Sequence, residues 1–142
     1  AETAAELPGL VAALVEAEHA DPDRVSLVGI SMGGYLVYRA LTLGMPIRAA
    51  VALLGSPNWP GYADSPHRDV AAFDDVALLS ITAEQDESVP PATTRAFHAA
   101  LAERPDRSAP AAYIELPGAH HLVSGDEWRI AMDATIDWLV AH

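Results

Sequence analysis

A chain of 142 residues, 51% hydrophobic and 20% charged, has enough apolar content for one core and too much to remain disordered. Its net charge of −12, with only 8 Lys plus Arg, argues against a nucleic-acid partner, because phosphates need a basic face. The absence of cysteine excludes disulfides, thiolate chemistry and cysteine-held metal, and no apolar run approaches the roughly 20 residues that span a bilayer.

No charged start leads into an apolar signal segment, so neither a membrane nor a secretory route is expected and a cytoplasmic home is the default. The first residue is Ala1 rather than Met, which is expected of a trimmed chain or of part of a longer one.

In chain order, Leu7, Leu10, Val11, Leu14 and Val15 fall on one helical stripe, with Pro8 tolerated if it sits in the first turn. Asp21-Pro22-Asp23 stops that helix. Val25 to Ile30 is a short, almost wholly apolar run that suits a strand buried on both faces. A helix follows from Gly33 to Leu43, with Tyr35, Leu36, Ala40 and Leu43 facing inward, and Gly44 and Pro46 end it. Ala49 to Leu54 reads as a second strand, Gly55 to Asp75 as a Pro-, Gly- and Asp-rich loop, and Val76 to Thr82 as a third strand.

Pro90 and Pro91 open a helix running to about Ala102, and Ala111 to Leu116 is the fourth strand. Ser124 with Glu127 forms a capping-box pattern before a last helix that turns Ile130, Ala131, Ala134 and Trp138 to one side. The whole is expected to be a single α/β domain: a parallel sheet of about four strands flanked by helices. In such sheets function gathers beyond the carboxyl ends of the strands.

Three of those ends carry chemistry. Gly29-Ile30-Ser31-Met32-Gly33 matches Gly-x-Ser-x-Gly between a strand and a helix, where a tight turn projects the serine oxygen outward. Glycines flank it because side chains there would clash, and the helix start offers N–H groups to a developing oxyanion. After the third strand come Glu84, Asp86 and Glu87, any of which could orient a histidine; the residues alone leave the three open. After the fourth strand, Pro117-Gly118-Ala119-His120-His121 supplies a general base.

Adjacent histidines in a loop rarely share one ion, so no metal and no organic cofactor are expected. His19, His67, His98 and His142 read as surface residues. Trp59 and Tyr62 either line an acyl or alcohol pocket or pin the loop to the body, and Trp128 and Trp138 read as packing residues.

Val28-Gly29-Ile30-Ser31-Met32-Gly33-Gly34, Asp86-x-x-Val89-Pro90 and Pro117-Gly118-Ala119-x-His121 together resemble the carboxyl-terminal half of an α/β-hydrolase. The similarity is to the short esterases grouped with dienelactone-hydrolase-like and prolyl-oligopeptidase-like enzymes, and it covers nearly the whole chain. It implies Ser31 as nucleophile, Asp86 as the acid, His121 rather than His120 as the base, and the Met32 N–H as an oxyanion donor. It also implies a serine carboxylesterase acting on small esters, since the loop from Gly55 to Asp75 is too short for a large lid.

Peptidase or thioesterase activity with the same three residues, and an interaction module without useful activity, are the competing expectations. The family normally has about four strands before the serine turn, and a loop among them gives a second oxyanion donor; neither is found here. The fold expected is therefore a reduced or partial one. The Val25 to Ile30 strand would lie at a sticky edge, covered by a second copy of the chain or by a missing companion segment.

Overall fold

The computed structural model describes residues 2–142. Four strands, β1 (Ser26–Ile30), β2 (Ala49–Leu53), β3 (Ala77–Ala83) and β4 (Ala111–Leu116), form one parallel sheet in the order β1-β2-β3-β4. The helices are α1 (Glu2–Glu16), α2 (Met32–Thr42), α3 (Ala92–Ala102) and α4 (Gly125–Ala141). The loop between β2 and β3 carries two 3₁₀ turns, Pro66–Arg68 and Val70–Phe73.

Side-chain alternation along the central strands sorts the core into two layers. Ala50, Ala52 and Leu78 meet Tyr38, Leu41, Phe73, Phe97 and Leu101 on the face covered by α1, α2 and α3. Val51, Leu53, Leu79, Ile81 and Leu116 meet Ala131 of α4 on the other face. Because both faces are covered, β2 and β3 are buried at every position.

The first strand departs from the expectation of burial on both faces. Val28 and Ile30 share the register of Val51 and Leu53, so they point to the α4 side. The last helix packs mainly over β2 and β3. Val28 and Ile30 stay 48% and 45% exposed, and no strand pairs with the outer side of β1 among the described residues.

Tyr35, Ala40 and Ala131 are buried as the helical stripes predict, but other positions differ. Leu43 and Ile130 are exposed, while Val37, Tyr38 and Leu41 of α2 and Thr135 of α4 are buried instead. Among the described residues of α1 only Ala4 is buried, with Leu7, Val11 and Val15 partly so; Leu10 and Leu14 face outward. Pro8 lies inside α1 rather than in its first turn. Ser124 occupies the cap position of α4 but makes no side-chain cap bond, since the chain enters through the left-handed Gly125 (φ 57°).

His98 is buried, not a surface residue. It shares the i, i+3, i+4, i+7 stripe of Thr94, Phe97 and Leu101 that packs α3 against the sheet. Its Nε2 lies 2.7 Å from Ser80 Oγ, which lies 2.6 Å from the buried Tyr38 hydroxyl, and its ring packs on Tyr113. Burial, with the nearby Arg107 charge, lowers its pKa from 6.5 to about 4, so the ring is neutral near pH 7.

The unfolded chain therefore takes up this proton first as pH falls. Stability tied to neutral His98 is intact above pH 6.5 and is lost as pH drops toward 4, amounting to ~3 kcal/mol over that interval. Urea unfolding between pH 7 and pH 4 is expected to show this loss, with a shallower slope in His98→Gln. Equal slopes in the two proteins would contradict the assignment.

Candidate active site

Ser31 follows the last residue of β1 and precedes the first residue of α2, with φ at 56° and ψ at −113°, a left-handed conformation unusual for a residue with a side chain. Its N–H donates to the Leu53 carbonyl and its carbonyl accepts from Tyr35 N–H, which fixes the turn at both ends. The glycine requirement falls unevenly around it. A Cβ on Gly29 would lie 2.1 Å from the Gly33 carbonyl oxygen, whereas one on Gly33 would meet nothing within 4 Å.

The second close approach lies one residue further on. A Cβ on Gly34 would sit 2.9 Å from the Leu53 carbonyl oxygen, and one on Gly55 would sit 2.7 Å from the Gly34 backbone. Together Gly34 and Gly55 let α2 start directly above the end of β2. Gly55 carried no local signal in the sequence, because the contact that needs it is made by a distant element.

Asp86 lies in the turn after β3, only 3% exposed. Its Oδ1 accepts from the N–H groups of Ser88 and Val89 at 2.9 and 2.8 Å, which leaves Oδ2 facing His121 Nδ1 at 2.7 Å. The other acids of this loop have different surroundings: Glu84 accepts from Gly118 N–H, and Glu87 is exposed. The β4 loop is tied to the same turn, since Gln85 N–H donates to the Ala119 carbonyl.

Of the adjacent histidines, His121 Nε2 lies 2.9 Å from Ser31 Oγ. His120 turns outward, with its Nδ1 at 3.1 Å from the Gln85 carbonyl. Ser31, His121 and Asp86, separated in sequence by 90 and 35 positions, thus stand in hydrogen-bond sequence at one rim of the sheet. With the Asp86 carboxylate able only to accept, the hydrogen sits on Nδ1, and Nε2 is left to accept from the serine hydroxyl.

The Met32 N–H belongs to the first turn of α2, whose N–H groups have no partner within the helix. The Met32 side chain is 63% exposed. Among the described residues no group of three or more His, Cys, Asp or Glu could hold a metal ion.

A cavity of about 490 Å³ opens beside Ser31, bounded by Met32, Tyr35, Trp59, Val89 and Pro90. Trp59 packs on Tyr35 with ring centres 4.9 Å apart. Tyr62 does not reach the cavity wall; it stands behind Trp59, edge-on at 6.4 Å. Tyr35, one helical turn beyond Ser31, is a wall residue that the i+4 spacing could have signalled. A second cavity of about 350 Å³, beside His98, Arg107 and Tyr113, shares no residue with the first.

The dienelactone hydrolase family model matches residues 2–129. The chain belongs to the dienelactone hydrolase family. Among solved structures, it is similar to a Mycobacterium tuberculosis puromycin-hydrolyzing peptidase, with a TM-score of 0.76 and 22% identity over 89% of this chain and 23% of that one. It is similar to SOBER1 of Arabidopsis thaliana, with a TM-score of 0.71 and 19% identity over 99% of this chain and 62% of that one. It is also similar to the Pyrococcus horikoshii acylaminoacyl peptidase, with a TM-score of 0.74 and 19% identity over 92% of this chain and 25% of that one.

No curated protein matches. The chain spans less than two thirds of the length of each of these structures. At such identities the likeness is one of fold: this dienelactone hydrolase family chain has a partial α/β-hydrolase fold, within a superfamily of hydrolases.

Proposed function

We propose that this chain is a serine hydrolase that cleaves small carboxylic esters through an acyl-enzyme, with Ser31 as nucleophile, His121 as general base and acid, and Asp86 as the group that orients His121. The reading rests on one observation, the continuous line from Ser31 Oγ to His121 Nε2 at 2.9 Å and from His121 Nδ1 to Asp86 Oδ2 at 2.7 Å.

As Ser31 Oγ bonds to the ester carbonyl carbon, its proton passes to His121 Nε2, and the Met32 N–H receives the negative charge on the carbonyl oxygen. The bond to the alcohol oxygen then breaks, and Nε2 returns the proton to that oxygen. Water repeats the sequence on the acyl-serine, giving up its proton to Nε2, and Ser31 is released with the carboxylic acid. Throughout, Asp86 holds the Nδ1 tautomer and stabilises the transient imidazolium.

A fluorophosphonate probe is expected to label Ser31, and Ser31→Ala to lose both the label and p-nitrophenyl acetate turnover. A folded protein that takes no label would sink the proposal. Amide cleavage is the second reading, favoured by the peptidases among the similar structures. Turnover of an aminoacyl p-nitroanilide that Ser31→Ala abolishes would decide for it.

A further inference from the structure

The cavity beside Ser31 has a side. Its lining includes Ser31 and Met32 but neither His120 nor His121. The leaving alcohol must face His121 to receive its proton, so the cavity, which His121 does not line, receives the acyl portion of the substrate. Among the described residues no charged side chain lines it. An acyl group bearing a carboxylate would thus be buried without a counter-charge, in a protein already at −12, and both terms oppose it. An uncharged aryl or alkyl group would instead gain the faces of Tyr35 and Trp59.

Trp59 is a useful wall only if the loop that carries it is fixed, and one buried hydroxyl does this. Ser65, 1% exposed, accepts from Trp59 N–H at 3.1 Å. Its own hydroxyl hydrogen has the Trp59 carbonyl at 2.9 Å and the Tyr62 carbonyl at 3.1 Å as acceptors. Tyr62 N–H donates to the Trp59 carbonyl inside the same loop. The outside of the loop is latched to α2, where Arg39 donates to the Asp64 carboxylate at 2.6 Å and to the Asp64 carbonyl at 3.2 Å. Ser65 does not itself reach the cavity.

We propose that this site takes uncharged aryl or bulky alkyl acyl groups, and that Ser65 is the positioning residue that holds Trp59 as the wall selecting them. This rests on the serine-hydrolase reading. A well-placed apolar wall discriminates by about 10- to 200-fold per group recognised.

The test compares kcat/KM for p-nitrophenyl acetate, phenylacetate and hemisuccinate. The phenylacetate is expected to exceed the acetate by at least about tenfold, and the hemisuccinate to fall below both. Ser65→Ala is expected to bring the phenylacetate-to-acetate ratio toward one, raising KM for phenylacetate more than it lowers kcat, with Trp59 fluorescence more open to acrylamide quenching. Trp59→Ala, which leaves the Ser65 hydroxyl in place, should erase the same preference and guards against a folding failure of the first variant.

Turnover of all three esters at equal kcat/KM would overturn the pocket assignment while leaving the hydrolase reading intact. An undiminished preference in Ser65→Ala would remove Ser65 from it. Absence of turnover on every ester, with Ser31 unlabelled, would sink both.

Discussion

Replacing His121 by Ala is expected to lower kcat/KM for p-nitrophenyl acetate by about 10⁴-fold or more, whereas His120→Ala is expected to change it by less than about threefold. The two side chains are neighbours in sequence and of one chemical type, so loop disruption would affect both alike. They differ in what they touch. His121 joins Ser31 to the buried Asp86 carboxylate, while His120 meets only the Gln85 carbonyl at the surface. Removing His121 leaves the Ser31 hydroxyl with no acceptor for its proton, a loss that binding and the Met32 N–H do not offset. Steady-state rates on the two variants, with circular dichroism to establish folding, carry the comparison. A larger loss in His120→Ala would move the proposed proton transfer from His121 to His120.

The candidate site was legible in the sequence where local geometry makes a local demand. A serine between a short apolar strand and a helix, with glycine two residues before it, can be read from the residues alone. The acid could not, because Glu84, Asp86 and Glu87 share one loop and one charge. What separates them is backbone direction: the N–H groups of Ser88 and Val89 both turn to Asp86 and aim its second oxygen at the histidine. The Val89-Pro90 pattern carries that turn, so a resemblance could select Asp86 where charge could not. Trp59 was visible as a wall candidate, but Ser65, buried in the same loop, was not, since a lone serine in a polar loop gives no sign of what it holds.

The parallel direction of the strands followed from their alternation with helices, and the central pair could be read as strands from their apolar runs. The edge position of Ser26–Ile30 was also expected, since no strand could be read ahead of it; burial on both its faces was expected and is not found, because composition alone does not tell which helix covers which face. His98 was misplaced for the opposite reason. A polar residue suggested the surface, although its spacing from Thr94, Phe97 and Leu101 pointed inward, and Ser80 supplies the partner that makes burial tolerable.

The glycines around Ser31 give the second large effect. Gly29→Ala is expected to unfold the domain or to cost more than about 4 kcal/mol, with loss of Ser31 labelling, while Gly33→Ala is expected to fold with Tm unchanged or slightly raised. On Gly29 the added carbon would lie 2.1 Å from the Gly33 carbonyl oxygen and 2.3 Å from its carbonyl carbon. Those are backbone atoms in the first turn of α2, so relief requires moving the helix start away from β1. That start is also pinned by Gly34 against Leu53 and Gly55, which leaves it little room to move. On Gly33 the carbon would enter open space, and alanine in a helix is favoured over glycine by up to about 1 kcal/mol. Thermal unfolding of the two variants, read beside fluorophosphonate labelling, separates them. If Gly29→Ala retained both fold and label, the strand-to-helix turn would have to be looser than its contacts describe, and the Ser31 oxygen could no longer be held to one position by the backbone.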